Sequence, residues 1–160
     1  MLAKTYNYLL KIEYDGTKFI GWQTQKNGHS IQDKIEQSLS KVLNSKIKIT
    51  GAGRTDKGVH ALGQYANFKS EHKIENKKRF FNSLNFFLSK HLISIIKISR
   101  KKLSFNSRHD AKERIYKYLI INRQGSLSLF NNRAWHIKNN LDIKLLKKGA
   151  KLFEGTHNFS

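Results

Sequence analysis

The chain opens with a period of two. Tyr6, Tyr8, Leu10, Ile12 and Tyr14 alternate with mostly polar neighbours, which predicts a half-buried β-strand, and Asp15-Gly16 ends it with turn chemistry. Residues 21–29 read as loop. The period then becomes helical. Ser30 with Asp33 three positions on approximates a capping box, and Ile31, Ile35, Leu39 and Val42 share one helical face. Residues 47–50 predict a short second strand, 51–58 a loop rich in glycine and charge, and 61–68 a third strand. A second helix is expected over 76–88, with Phe80, Leu84, Phe87 and Leu88 facing inward, and a fourth strand over 92–98.

The order strand, helix, strand, strand, helix, strand predicts an α+β fold. It is the split βαβ, ferredoxin-like pattern that RRM-type RNA-recognition modules also use. Arg100-Lys101-Lys102 marks a shift in composition and a domain boundary, giving a domain over 1–102 and the beginning of a second over 103–160. In the latter, 115–122 predicts a strand that Gln124-Gly125 turns into a partner over 127–137. Asp142 caps a helix whose Ile143, Leu146, Ala150 and Phe153 share a face, with Gly155 suited to the C′ position. A strand pair and one helix make a thin layer, so this second α/β domain reads as incomplete.

Charge changes the picture. Lys and Arg number 31 against 11 Asp and Glu in 160 residues, for a net charge of +20. Self-repulsion of that size points to a polyanionic partner, nucleic acid above all. Drift toward Lys and Asn codons is the alternative source of the same composition. Cysteine is absent, which excludes disulfides and thiolate metal sites. The seven histidines are scattered without metal-ligand spacing, so no metal is expected. No apolar run approaches the roughly 18–20 residues that span a bilayer, and the start lacks a secretory apolar region. The expectation is a cytoplasmic protein without membrane attachment.

The segment Gly51-Ala52-Gly53-Arg54-Thr55-Asp56-Lys57-Gly58-Val59-His60 stands out chemically. Its glycines allow close backbone approach to a ligand. Arg54 and Lys57 flank Asp56 and favour its ionised form, and an ionised carboxylate on a loop between strands is a candidate nucleophile. A tight turn with a solvated ion pair fits the same spacing. The segment is neither a Walker loop nor a dinucleotide fingerprint, because a strand follows it and no Gly-Lys-Ser/Thr does. Tyr116 and Tyr118 alternate on one strand face, a spacing that serves sheet packing as well as base stacking.

Residues 52–61, from Ala52 through Arg54-Thr55-Asp56 to Ala61, closely resemble the active-site motif of the tRNA pseudouridine synthase A family. Residues 13–23, Glu13-Tyr14-Asp15-Gly16 through Trp22-Gln23, resemble its first strand and following loop. Ser30-Ile31-Gln32-Asp33 resembles its helix start. Phe105, Arg108, Ala111, Arg114, Tyr116 and Tyr118 resemble the opening of its second domain, and residues 155–160 a turn inside that domain.

The resemblance implies a cofactor-free, metal-free isomerisation of uridine to pseudouridine in the anticodon arm of tRNA. Asp56 would be the catalytic carboxylate, acting covalently at ribose or base or by promoting loss of a C2′ proton. Arg54 would hold the RNA open at the vacated position, and Tyr116 would stack on the flipped base. Family members are homodimers, and their chains continue past the point matched by Ser160. That continuation supplies a basic partner for the aspartate, apolar pocket strands and dimer contacts. Three outcomes stay open on these grounds: such an enzyme, a catalytically impaired RNA-binding remnant of one, or an unstable fragment without function.

Overall fold

The computed structural model describes residues 4–158. Met1 to Ala3 lie outside it, as do Phe159 and Ser160, the end of the segment compared with the family's turn. The described contacts divide the chain into two compact units, one ending at Ile115 and one beginning at Tyr116.

In the first unit the chain runs β1 (Tyr6–Tyr14), α1 (Ile31–Leu43), β2 (Ile49–Gly51), β3 (Ala61–Ser70), α2 (Lys77–Ser89) and β4 (Ile93–Lys101). The four strands form one sheet in the order β2-β3-β1-β4, and every neighbouring pair is antiparallel. Two antiparallel steps leave β1 and β2 parallel, with β3 inserted between them. The arrangement is α+β, with an antiparallel sheet backed by helices.

The alternation of β1 decides what becomes core. Its Tyr8, Leu10, Ile12 and Tyr14 are buried together with Ala66 and Phe68 of β3 and Ile93 and Ile95 of β4. Against them lie Ile31, Ile35 and Leu39 of α1 and Phe80, Leu84 and Leu88 of α2. The expected helical faces are therefore the packed ones, with two of their members at the rim. Val42 and Phe87 are only half-buried, and the Lys41 ammonium lies 5.8 Å from the Phe87 ring centre. The Ser30 side chain accepts from Asp33 N–H at 3.0 Å, which makes the expected N-cap, and its hydroxyl donates to the Asp33 carboxylate at 2.6 Å.

Two polar groups are buried where the sheet needs them. Asn7 of β1 donates to the carbonyls of Lys102 and Phe105, at 2.9 and 2.8 Å. Asn67 of β3 donates to Asn7 and accepts from Ser107 N–H, at 3.0 and 2.8 Å. This pair fastens the chain beyond β4 to the first unit. Glu36, 5% exposed on α1, accepts from Gln32 and from the backbone N–H of Ile49, and from Lys48 at 2.7 Å. The bond to Glu36, then its charge, holds the Lys48 ammonium above its ordinary range.

The second unit contains β5 (Ile120–Asn122), β6 (Trp135–Ile137) and α3 (Ile143–Lys151). The expected turn at Gln124-Gly125 does not make a hairpin. β5 and β6 pair in parallel over three residues, Ile120 opposite Trp135. A parallel pair needs a long connection, and residues 123–134 supply it through successive turns around Phe130, with Asn132 at φ 60°. The strand expected over 115–122 shortens to its last three residues, because among the described residues the preceding ones meet no partner strand. Asp142 caps α3 as expected, accepting from Leu145 N–H at 3.0 Å. None of the α3 residues is buried.

The Glu36 arrangement makes a prediction. Glu36→Ala leaves the buried Ile49 N–H without its acceptor and should lower unfolding free energy by about 1–3 kcal/mol in urea titration. Glu36→Gln keeps that acceptor and should lose much less. Lys48→Ala, with an exposed ammonium, should leave the midpoint nearly unchanged.

Candidate active site

The segment 52–60 joins β2 to β3 at the end of the sheet where β1 stops and β4 starts. It belongs to no ladder, so its backbone polar groups must find other partners. Arg114 donates from Nε and Nη2 to the Ala52 carbonyl, at 3.0 and 2.7 Å, and from Nη2 to the Arg108 carbonyl. Gln64 of β3 donates to the Gly53 carbonyl at 2.8 Å. Trp22 N–H donates to the Thr55 carbonyl at 2.9 Å, and Val59 N–H turns back onto the Asp56 carbonyl at 3.2 Å. Three separate parts of the first unit thus hold one short loop.

The loop that follows β1 is pressed against this segment. At Gly16 a Cβ would collide with the Val59 carbonyl, and Gly21, at φ 124°, comes so close that its Cβ would stand 2.7 Å from the Thr55 carbonyl. Only glycine satisfies both the conformation and the approach at Gly21. Gly16 N–H donates to His60 Nδ1 at 3.1 Å, and the Asp15 carboxylate stands 3.2 Å from the same nitrogen. That nitrogen serves Gly16 as acceptor when the ring is neutral and Asp15 as donor when it is protonated. The Tyr14 hydroxyl bonds the Thr55 hydroxyl at 2.8 Å.

Against this fixed backbone the side chains of Arg54 and Asp56 are exposed. Among the described residues the ion pairs are Lys48–Glu36, His60–Asp15 and Lys73–Glu75, and none uses Asp56. The turn expected from the spacing is present, starting at the Asp56 carbonyl, whereas the ion pair that accompanied it in that reading is not. A carboxylate held out on an anchored turn is free to meet a ligand. No group of three or more His, Asp or Glu side chains is placed to hold a metal ion among the described residues.

Arg54 and Asp56 lie two positions apart in the same loop. Tyr116 is the first residue of the second unit and is 62% exposed there. Sequence reasoning singled out the carboxylate, and it named Tyr14, Trp22, Thr55 and Arg114 only as positions of the resemblance, with no supporting role. Arg114, Gln64, Thr55 and Tyr14 make bonds of long sequence separation, for which neither periodicity nor spacing carries a signal.

Residues 11–110 match the family model described as tRNA pseudouridine synthase. That stretch includes the whole anchored loop and most of its supports. Curated relatives named tRNA pseudouridine synthase A match nearly the whole chain, among them the following three. The chain is similar to that of Pelagibacter ubique at 47% identity over 155 residues, covering 97% of this chain and 63% of the relative. For Caldicellulosiruptor saccharolyticus the identity is 42% over 154 residues, covering 96% and 62%. For Acetivibrio thermocellus it is 42% over 155 residues, again covering 96% and 62%. The chain therefore spans a little over three-fifths of the length of these relatives. With the family model covering the greater part of its residues, the chain belongs to the tRNA pseudouridine synthase family.

Proposed function

We propose that this chain carries the nucleophile loop of an isomerase that converts uridine to pseudouridine in the anticodon stem-loop of tRNA, with Asp56 as the catalytic carboxylate and no cofactor. The observation that carries this reading is the exposed Asp56 side chain, in no ion pair among the described residues, on a backbone tied through its carbonyls inside the family-matched segment. In the reaction the C1′–N1 bond breaks and a C1′–C5 bond forms. The hydrogen on C5 leaves as a proton and N1 gains one, so the change is redox-neutral.

The remaining roles follow from the same reading. A target inside a stem must be flipped out, at a cost of a few kcal/mol. Arg54 enters the space the base leaves. Tyr116 stacks on the flipped base, an interaction of about 1–3 kcal/mol. The excess of Lys and Arg binds phosphates without reading sequence. In this architecture residues 1–102 form a ferredoxin-like catalytic-loop domain, which the strand order β2-β3-β1-β4 supports, and residue 103 onward opens the second domain. The working enzyme is a homodimer in the cytoplasm. No helix among the described residues is long and apolar enough to cross a membrane.

A second reading, an RNA binder without turnover, is favoured by one observation. Ile143, Leu145, Leu146 and Phe153, in and just after α3, are all exposed. Apolar side chains in that state do not exclude water.

Asp56→Asn should abolish tritium release from tRNA labelled at uridine C5, measured with the chain completed by the C-terminal segment of the Pelagibacter ubique relative. Its tRNA affinity should stay within a few-fold, because the carboxylate does chemistry and holds no phosphate. Substantial release by that variant would remove Asp56 from the reaction.

Binding of the 160-residue chain to an anticodon stem-loop should weaken steeply with salt, with a log–log slope of roughly −0.7 to −0.9 per phosphate neutralised. A filter-binding series that showed no salt dependence would leave the +20 charge as compositional drift.

A further inference from the structure

One tie of the Asp56 loop is made between two side chains. The Tyr14 hydroxyl bonds the Thr55 hydroxyl at 2.8 Å across 41 positions of sequence. Tyr14 is 2% exposed, and its ring packs 5.9 Å from the ring of Trp22. Trp22 in turn donates its backbone N–H to the Thr55 carbonyl at 2.9 Å. Thr55 is thus gripped at its hydroxyl and its carbonyl by two residues whose rings are packed together, one position before the carboxylate.

The two ends of this bond differ in how firmly they are held. Tyr14 is the last residue of β1 and is paired on both sides, with Ala61 of β3 and Ile93 of β4. Thr55 has no ladder. Deleting the bond should therefore loosen the loop at Thr55 and leave the sheet in place. We propose that the Tyr14–Thr55 hydroxyl pair is the lock that sets the backbone from which Asp56 projects, making Tyr14 a positioning residue for that carboxylate. Its catalytic meaning rests on the reading of Asp56 given above.

Amide hydrogen exchange on the full 160-residue chain tests this. The informative amides are Trp22, bonded to the Thr55 carbonyl, Gly58, bonded to the Phe19 carbonyl, and Val59, bonded to the Asp56 carbonyl. Reference amides come from α1 and from the β1–β4 ladder. Tyr14→Phe and Thr55→Val should each speed exchange at the three loop amides by about tenfold or more, with the reference amides unchanged. The double variant should exchange no faster than either single one, since both remove the same bond. Thr55→Ser, which keeps the hydroxyl, should stay close to the parent. If Thr55→Val does not fold, the contrast of Tyr14→Phe with Thr55→Ser decides alone. Acceleration shared equally by the reference amides would reduce the bond to general stability and overturn the proposal. Unchanged loop amides, or additive effects in the double variant, would also overturn it. Asp56→Asn should leave these exchange rates as they are and affect turnover only, so a failed lock and a failed catalytic assignment give different results.

Discussion

The candidate site depends on one requirement, that the carbonyls of a loop outside any ladder be satisfied. Arg114, Gln64 and the Trp22 amide meet it for Ala52, Gly53 and Thr55, each from a different part of the first unit. Because the anchoring uses main-chain atoms of the loop, the side chains of Arg54 and Asp56 are left free. A carboxylate on a loosely held loop would have to be ordered when the substrate arrives, at a cost in conformational entropy. Here the fold has met that cost already. The close approaches at Gly16 and Gly21 serve the same end, letting a second loop back the first at van der Waals distance.

Much of this was legible in the residues, and the reasons differ by element. β1 and α1 could be read because one side of each faces a core, so burial writes a period of two or 3.6 into the sequence. The N-cap at Ser30 and the C-terminal punctuation of β1 follow from local chemistry. Asp56 could be singled out because three glycines and three charges share one short segment. The supports could not. A bond from Arg114 to Ala52 or from Tyr14 to Thr55 joins residues whose separation obeys no period, and only the sheet's strand order brings them together. Asn7 and Asn67 carry no such signal either, yet they are buried and bind the chain beyond β4.

The second unit was read less well, and the physical reason is plain. Its apolar residues signal faces that seek partners, but periodicity says nothing about which partner. Residues 115–137 looked like a hairpin because apolar runs flank a Gly-containing turn. The pairing found is parallel and three residues long. Isolated ladders of that size are marginal in water. Tyr118, Leu129, Trp135 and Leu145 are all exposed, a large apolar surface for so small a unit. The curated relatives are longer than the chain by more than a third of their own length.

The proposed division of labour between the anchored loop that carries Asp56 and a segment like the one by which the relatives are longer is most directly tested by tritium release from C5-labelled tRNA. The 160-residue chain would be assayed alone, and then with the C-terminal segment of the Pelagibacter ubique relative supplied in trans or as a fusion. Release only when both parts are present, and lost with Asp56→Asn, is the expected result. Robust release by the 160 residues alone would contradict it, as would a completed protein that binds tRNA and releases none.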